Sequence, residues 1–351
     1  MPAISPSTLT EFATSLLAAG GASEAEARIV GHSLVSANLR GYESHGVMRT
    51  PFYIGMVQRG ETISTAALEI INESPTRLVA DANWGFGRVQ AGRLLDKLIE
   101  KANKEGMGIG TLLHSSHIGR LGEYCEIAAE QGLVSMLMVN THGAVSRVAP
   151  PGGSAPRLGT NPMALGVPHQ ETPLILDFST SATAEGKVRV KQIAGEACPD
   201  GWLIDNQGNP TTDPNDLYTD PPGAIVPMGG EQAYKGFGLS FMIDIFSGAL
   251  SGGLCARETA ETPKGNCVFM MILAPQHFGG TAHFTQEVEG LARYVRACPR
   301  RDGVEEILLP GDPERKVMKA RTAQGIVLDE GNWQQLTELA EKLQVPLPTL
   351  N

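Results

Sequence analysis

Ser44, His45 and Arg49 place a hydroxyl, an imidazole and a guanidinium close together in the chain. An imidazole titrates near neutral pH and exchanges a proton readily, whereas a guanidinium binds a carboxylate through two parallel hydrogen bonds. The three side chains together would suit a proton transfer on a carboxylic acid substrate. A single histidine that follows a helix is more often a capping or surface residue, so the residue types alone leave both interpretations open.

The sequence predicts a helix on each side of this segment. The first begins with a capping box, in which Ser23 and Glu26 stand three residues apart, and it ends at Gly41. The second has Thr50 as its N-cap and Pro51 as its first helical residue. We therefore expect rigid elements to hold the three side chains while they face a ligand.

Beyond residue 67, hydrophobic patterns with the periods of strands and of helices alternate along the chain. They predict a hairpin around residues 68–81, a helix that stops at Gly106, and a long irregular excursion over residues 195–230. The other predicted strands are Ile109–Leu113, Leu133–Val139, Pro162–Val167, Leu174–Phe178 and Cys267–Leu273, and the other predicted helices include Leu121–Ala129, Lys235–Ala249, Glu287–Cys298 and Glu314–Gln324. This order predicts an α/β protein.

Glycine spacing argues against the common dinucleotide-binding loop. Four Gly-x-Gly pairs occur, at residues 85–87, 106–108, 108–110 and 236–238, and none has the third glycine of the Gly-x-Gly-x-x-Gly pattern. Gly186-Lys187 is followed by Val188, so a phosphate-binding loop of the Gly-Lys-Ser/Thr type is missing as well. If this chain binds a nucleotide, it uses another geometry.

The composition argues against several classes of protein. The 351 residues carry a formal net charge of −10 without a basic cluster, which disfavours nucleic-acid binding. No apolar run approaches the ~20 residues of a membrane-spanning helix, and the first basic residue is Arg28, which disfavours a signal peptide. The five cysteines form no Cys-x-x-Cys pair and indicate reduced thiols. We therefore expect a cytoplasmic protein without nucleic-acid or membrane partners.

Three further clusters carry reactive side chains in ambiguous patterns. His114 and His117 could ligate zinc from one helical face, but no third ligand stands at the usual spacing and helix capping is a simpler interpretation. The hydroxyls of residues 179–181 at a strand end could bind ribose and phosphate, or they could belong to a turn. Tyr234 and Lys235 at a predicted helix start offer a cation and a helix dipole to a pyrophosphate.

These segments together resemble the malate/L-lactate/ureidoglycolate dehydrogenase family, whose members bind a nicotinamide cofactor without a Rossmann domain. The resemblance is carried by Ser44-His45-Gly46 with Arg49, His117-Ile118-Gly119-Arg120, Leu158-Gly159-Thr160-Asn161-Pro162, Asp177-Phe178-Ser179-Thr180-Ser181 and Leu309-Pro310-Gly311-Asp312-Pro313. Residues 250–253 and 324–329 are most similar to the bacterial hydroxycarboxylate dehydrogenases of the family.

The resemblance implies an oxidoreductase that transfers a hydride between NADH or NADPH and a 2-keto acid/2-hydroxy acid pair. The catalytic residues that it implies are His45 as proton donor with Ser44, His117 and Lys187, and the substrate carboxylate would bind Arg49 and Arg120. The implied cofactor-binding residues are Asn140, Thr141, Thr160, Asn161, Asp177, Phe178, Ser179, Thr180, Ser181, Tyr234, Lys235, Gly311, Asp312 and Pro313. The resemblance implies no metal, a small carboxylate as substrate and a homodimer.

For the fold, the resemblance implies a non-Rossmann α/β architecture. We expect residues 1–73 to form a helical domain and residues 74–285 to form a β-rich cofactor-binding domain. Residues 286–351 would then be a helical segment that returns to the first domain.

Other functions stay open. Within the family, the chain could reduce cyclic imino acids or act on ureidoglycolate. The imine reductases carry an Asp at or near the position of Lys187, and a lysine there would repel a cationic iminium, which favours keto acids. Lys187 could instead only neutralise cofactor phosphates. Outside the family, the alternatives are a metal-dependent hydrolase built on His114 and His117, and a non-catalytic binding protein.

Overall fold

The computed structural model describes residues 3–170, 172–258 and 262–348. The strands are β1 (Ala3–Ile4), β2 (Glu69–Glu73), β3 (Arg77–Asp81), β4 (Met107–Ser115), β5 (Val134–Asn140), β6 (Met163–Val167), β7 (Leu174–Phe178), β8 (Leu203–Ile204), β9 (Pro210–Thr211), β10 (Ala224–Ile225), β11 (Asn266–Leu273) and β12 (Ile326–Val327). The helices are α1 (Pro6–Ala19), α2 (Glu24–Leu39), α3 (Thr50–Gln58), α4 (Gly87–Glu105), α5 (Gly122–Glu130), α6 (Glu185–Ala194), α7 (Ala233–Asp244), α8 (Thr281–Arg296), α9 (Asp312–Gln324) and α10 (Glu330–Leu343).

Within the described residues, the largest sheet has seven strands in the order β2-β3-β4-β11-β5-β6-β7. β3 and β4 are parallel, and every other neighbouring pair in this sheet is antiparallel. β11 lies in the centre and is buried along most of its length, which explains its continuous apolar sequence. Together with the helices this gives a mixed α/β fold.

The register of β11 aligns the ends of its two neighbours. Asn266 pairs with Ser115 of β4, and the next residue, Cys267, pairs with Asn140 of β5. The Asn266 side chain then connects both ends, because its Oδ1 accepts from the Ile118 N–H at 3.0 Å and its Nδ2 donates to the Asn140 carbonyl at 2.8 Å. The segments that follow β4 and β5 therefore leave the sheet side by side, at the same end of its strands.

Two large hydrophobic clusters form in the described part of the chain. One lies on the sheet, where the apolar face of α4 and helix α5 cover β4, β5 and β11. The other joins α1, α2 and α3 to the C-terminal β12 and α10, and β1 pairs with β12 in the same region. Phe86 and Val89, at the start of α4, belong to the second cluster, while the rest of α4 packs on the sheet. The start of α4 therefore lies where the two clusters meet.

Most predicted elements are confirmed, with differences at their ends. α3 begins at Thr50 with Arg49 as its N-cap, one residue before the predicted start. α8 begins at Thr281, ahead of the predicted Glu287, and its N-cap Gly280 offers no side-chain signal. α9 begins at Asp312, two residues before the predicted Glu314, and its N-cap is Gly311, whose φ of 90° a glycine adopts readily.

Two elements are missing from the sequence-based expectation. α6 was not expected, because Gly186 interrupts its first turn and Ala184 gives no side-chain cap. The predicted irregular excursion over residues 195–230 contains a small sheet in the order β10-β8-β9. Its strands have only two residues each, which is too short to show an alternating hydrophobic pattern in the sequence. No helix in residues 3–170, 172–258 or 262–348 combines the length and apolar character that a bilayer crossing requires.

Candidate active site

The segment between α2 and α3 folds into two short 3-10 turns, Glu43–His45 and Val47–Arg49, that meet at Gly46. Gly46 packs directly against the Asn38 amide of α2, so a side chain at this position would collide with it. The same Asn38 accepts from the Val47 N–H at 2.8 Å, and the Arg49 Nε donates to the Ser44 carbonyl at 2.7 Å. These contacts fix the backbone on both sides of His45.

The fold brings the imidazoles of His45 and His117 together, with 5.4 Å between their ring centroids and 33° between their planes. Each ring is oriented by a hydrogen bond at Nδ1, which joins His45 to the Ser44 Oγ at 2.9 Å and His117 to the Tyr53 hydroxyl at 2.7 Å. No other hydrogen bond to either ring occurs among the described residues, so each Nε2 is available to a ligand.

Burial and positive charge keep both imidazoles neutral. Burial, followed by the charges of Arg49, Arg88 and Arg120, lowers the pKa of His45 to about 3. Burial, Arg49 and the neighbouring His45 hold the pKa of His117 well below its usual value of about 6.5. At neutral pH the site thus presents two uncharged rings among cations, which is an environment that attracts an anion.

Arg88 is a residue of this site that the sequence analysis did not identify. Its side chain is almost completely buried, and its guanidinium donates to the His45 carbonyl at 2.6 Å, to the Tyr53 hydroxyl at 3.3 Å and to Ser33. Gly119 lies so close to this guanidinium that a side chain there would collide with it. The available signal was an arginine on the core-facing stripe of an amphipathic helix, where an unpaired charge is rarely found.

Arg120 lies in a separate cluster of charges. Its guanidinium is almost fully buried, donates to Glu126 at 2.6 Å and lies over the Tyr42 ring at 5.8 Å. The Asp177 carboxylate accepts from the Gly122 N–H at 2.7 Å, at the first residue of α5. Burial raises the pKa of Asp177 to about 6, although the Gly122 N–H and Arg120 act in the opposite direction. Asp177 therefore joins β7 to α5.

Several predicted cofactor residues converge beside this cluster. Thr180 donates from its backbone N–H to the Thr160 carbonyl at 3.1 Å and from its hydroxyl to the Asn161 carbonyl at 3.0 Å. A side chain at Gly159 would contact both Asn161 and Thr141. The Ser181 hydroxyl donates to the Thr183 carbonyl at 2.7 Å. The loops after β5 and β7 and the loop before β6 thus meet in one polar region.

The other predicted cofactor residues have varied settings. Asn140 is buried, and its amide donates to Asp244 at 2.6 Å and to the Leu254 carbonyl at 2.9 Å. Phe178 and Ser179 are partly buried at the end of β7. Tyr234 and Lys235 lie on the exposed first turn of α7.

Lys187 and the segment 311–313 lie at the margin of the candidate site. Lys187 is exposed in the first turn of α6, but the preceding Gly186 lies against the segment that carries His45, since a Cβ there would lie 2.7 Å from the Ser44 Cβ. Gly311 packs on β7 at Ile175, and Pro313 is exposed. Asp312 pairs with Arg315 at 2.6 Å and with Arg296.

The two histidines considered for zinc have different partners. The Nδ1 atom of His114 pairs with Asp81 at 2.8 Å, while His117 bonds to Tyr53. Among residues 3–170, 172–258 and 262–348, no group of three or more His, Cys, Asp or Glu side chains is arranged to hold a metal ion. The geometry gives no support to a hydrolase built on this pair.

Comparison with known proteins identifies the family. The family model for malate/L-lactate dehydrogenase matches residues 4–337. Hydroxycarboxylate dehydrogenase B of Escherichia coli strain K12 is 36% identical over 98% of this chain and 95% of that protein. Malate dehydrogenase of Pyrococcus horikoshii is 33% identical over 96% of this chain and 94% of its own length.

The fold agrees with these similarities. The crystal structure of malate dehydrogenase from Entamoeba histolytica matches with a TM-score of 0.92 and 30% identity, covering 99% of this chain and 99% of that chain. Because sequence and fold match over nearly the whole length, the chain belongs to the malate/L-lactate dehydrogenase family and is a 2-hydroxy acid dehydrogenase that acts on a CH–OH group, as the sequence predicts.

Proposed function

We propose that this enzyme uses His45 and His117 to interconvert a 2-hydroxy acid and its 2-keto acid with NADH or NADPH as hydride carrier. The observation that carries the proposal is the pair of neutral imidazoles, 5.4 Å apart, close to the Arg49 guanidinium. An imidazole can exchange a proton with the substrate oxygen, and a guanidinium can bind the adjacent carboxylate. These are the two groups that every 2-hydroxy acid presents.

His45 exchanges the proton in both directions of the proposed reaction. During oxidation, its neutral imidazole accepts the hydroxyl proton while the substrate C2–H bond breaks and the C2–O bond becomes a carbonyl. A nicotinamide cofactor bound at this site would supply the acceptor for the hydride that leaves C2. During reduction, the imidazolium of His45 returns the proton to the carbonyl oxygen. A bound carboxylate offsets the charge of Arg49, which raises the pKa of His45 and makes this imidazolium accessible.

Of the two predicted carboxylate ligands, Arg49 fits the role better. Its side chain is partly exposed, and among the described residues only its Nε makes a hydrogen bond, to the Ser44 carbonyl. No carboxylate in the described part of the chain forms an ion pair with Arg49, whereas Arg120 is buried and paired with Glu126. We assign the substrate carboxylate to Arg49, where a charge-assisted bond contributes roughly 1.5–3 kcal/mol. Arg120 then holds the neighbouring charges in place.

The residues of this chain fit a nicotinamide cofactor bound outside a Rossmann domain. The sheet is antiparallel except for one strand pair in the described residues, unlike the parallel sheet of a Rossmann domain. Asn161 Oδ1, Thr183 Oγ and Ser240 Oγ are buried without a partner in the described part of the chain, so polar groups remain for a ligand. We propose that Thr160, Asn161 and the segment 179–181 hold the cofactor.

The predicted domains and the homodimer also belong to this proposal. A helical domain built from both ends of the chain is supported by the hydrophobic cluster that unites α1, α2 and α3 with β12 and α10. The proposed boundary at 73/74 falls between the paired strands β2 and β3, and the one at 285/286 falls inside α8. A homodimer is supported by the exposed apolar face of α7 and the π-helical turn after it, which carries Tyr234, Phe241, Met242, Ile245 and Leu250. An apolar patch of this kind usually marks an interface.

A cofactor titration followed by a substrate panel tests the proposed function. NADH and NADPH are added separately and their fluorescence is followed, after which pyruvate, phenylpyruvate or a cyclic imino acid is supplied. We expect saturable binding of at least one cofactor and its oxidation by a keto acid, unaffected by a chelator. If Lys187 disfavours an iminium, kcat/KM for the best keto acid exceeds that for the imine by at least about tenfold, or about 1.4 kcal/mol.

The other outcomes contradict the proposal in distinct ways. A preference for the imine would assign the enzyme to the imine-reducing branch of the family. Cofactor binding without turnover of any acid would indicate a binding protein. Activity that a chelator abolishes would point to the metal-dependent alternative, and the absence of cofactor binding would refute the proposal as a whole.

A further inference from the structure

Arg88, Tyr53 and His117 form a chain of hydrogen bonds that reaches from the core to the paired imidazoles. Arg88 Nε lies 3.3 Å from the Tyr53 oxygen, and the same oxygen lies 2.7 Å from the His117 Nδ1. Arg88 and Tyr53 are both buried, with 3% and 4% of their surface exposed. Solvent therefore does not satisfy these groups, and each hydrogen must find its acceptor inside the chain.

The direction of each bond follows from the types of the three groups. A guanidinium only donates, so the Tyr53 oxygen accepts from Arg88. The Tyr53 hydroxyl has one hydrogen, and the His117 Nδ1 is its acceptor among the described residues. Since this Nδ1 accepts, it carries no hydrogen. A neutral imidazole keeps one N–H, so the hydrogen of His117 resides on Nε2.

We infer that Arg88 and Tyr53 are positioning residues that fix His117 as the neutral Nε2–H tautomer, so that His117 donates a hydrogen bond to the substrate oxygen while His45 alone exchanges the proton. His45 lacks such a constraint. Its Nδ1 is hydrogen-bonded to the Ser44 hydroxyl, which can either donate or accept. This bond can therefore persist whether the His45 ring is neutral or protonated. The inference rests on the proposed function for the role of the substrate, but the tautomer itself does not.

Arg88 also connects the two histidines through its hydrogen bonds. Its guanidinium donates to the His45 carbonyl at 2.6 Å as well as to Tyr53. It also donates to the Ser33 hydroxyl, which in turn donates to Glu123, and the Glu123 carboxylate lies 3.8 Å from the guanidinium. One buried cation therefore sets both the position of His45 and the tautomer of His117. The pairing with Ser33 and Glu123 compensates the burial of the guanidinium, which would otherwise be costly.

Nitrogen NMR of the imidazoles tests the tautomer without substrate. The wild-type enzyme and Tyr53→Phe are labelled with ¹⁵N-histidine, and His117→Gln assigns the resonances. We expect a protonated-type Nε2 and an unprotonated-type Nδ1 for His117 at pH 7, and we expect Tyr53→Phe to lose this pattern. An Nδ1–H tautomer or an imidazolium in the wild type would overturn the inference, as would an unchanged pattern in Tyr53→Phe.

Tyr124→Phe is the matched control. Tyr124 is equally buried, and its hydroxyl donates to the Ile118 carbonyl at 2.6 Å, one residue from His117 but not to the ring. The variant removes the same atom next to the same segment, so general loosening would appear in it as well. We expect the His117 pattern to persist in Tyr124→Phe. Loss of the pattern in both variants would assign the effect to packing and overturn the inference.

Kinetics separate this inference from the proposed function. In Tyr53→Phe we expect kcat to fall by about ten- to a hundredfold, as for a misplaced catalytic group, with cofactor affinity unchanged. If no keto acid is reduced by the wild type and the NMR pattern is as expected, the proposed function fails while the tautomer assignment stands. If keto acids are reduced and the pattern is absent, only the inference fails.

Discussion

At the scale of single residues, burial and the electrostatic field of the neighbouring arginines set the protonation state of His45. The imidazole is partly buried, and burial together with the charges of Arg49, Arg88 and Arg120 lowers its pKa to about 3. Arg49 is the largest of the charge contributions and also the residue that we assign to the substrate carboxylate. If Arg49 binds the substrate carboxylate, substrate binding and protonation of His45 are coupled through one guanidinium.

Removing this charge should raise the pKa of His45. In Arg49→Gln we expect the His45 titration, followed by NMR in the free enzyme, to move upward from about 3, because a cation no longer opposes the imidazolium. Arg59→Gln is the control, since Arg59 is exposed on the far end of α3 and pairs with Glu61. A pKa that stays in place in Arg49→Gln, or shifts equally in both variants, would contradict this picture.

The sequence predicted some of these residues and not others for physical reasons. Ser44, His45 and Arg49 are neighbours in the chain, so their types and spacing form a readable pattern. Arg88 and Tyr53 meet His117 only because α3 and α4 pack against the end of β4. Lys187 was expected at the site, and it lies in the exposed first turn of an unexpected helix. Contacts between distant segments depend on the register of β11, which composition does not encode.

At the scale of elements, Asp177 is the link between β7 and α5. Its carboxylate accepts from the first N–H of α5, which is a favourable position for a negative charge. Burial nevertheless dominates and raises its pKa to about 6, above the ~3.9 of an exposed Asp. The folded state therefore binds this proton more tightly than the unfolded state does. The resulting stabilisation is complete below pH ~4 and is lost as the pH rises through about 6.

A neutral side chain should relieve this cost at high pH. We expect Asp177→Asn to raise the free energy of unfolding at pH 8 by about 1–2 kcal/mol, and to have little effect at pH 4.5. Urea unfolding at a fixed protein concentration measures the difference. Asp205→Asn is an opposite control, because backbone and side-chain hydrogen bonds from Asn209 lower the pKa of Asp205. A loss of stability in Asp177→Asn at pH 8 would contradict the assignment.

At the scale of the whole molecule, we propose that the exposed apolar face of α7 is the dimer interface. Leu250 is 57% exposed and Phe241 is 50% exposed, on one continuous helical stretch. We expect light scattering to give the mass of a dimer for the wild type and a smaller mass for Phe241→Glu, because a buried carboxylate without a partner is costly at an interface. Ile29→Glu, at an exposed position of α2, should leave the mass unchanged. A monomeric wild type would contradict the proposed homodimer.

The role of His45 is tested by the turnover of His45→Ala with a keto acid that the wild type reduces, measured at saturating cofactor. Loss of the proton donor should lower kcat by about 10²–10⁴-fold, the usual contribution of a positioned acid or base. The cofactor should still bind, because the substitution leaves Thr160, Asn161 and the segment 179–181, which we propose to hold it, unchanged. Turnover near the wild-type value would contradict the assignment of His45 as the group that exchanges the proton with the substrate.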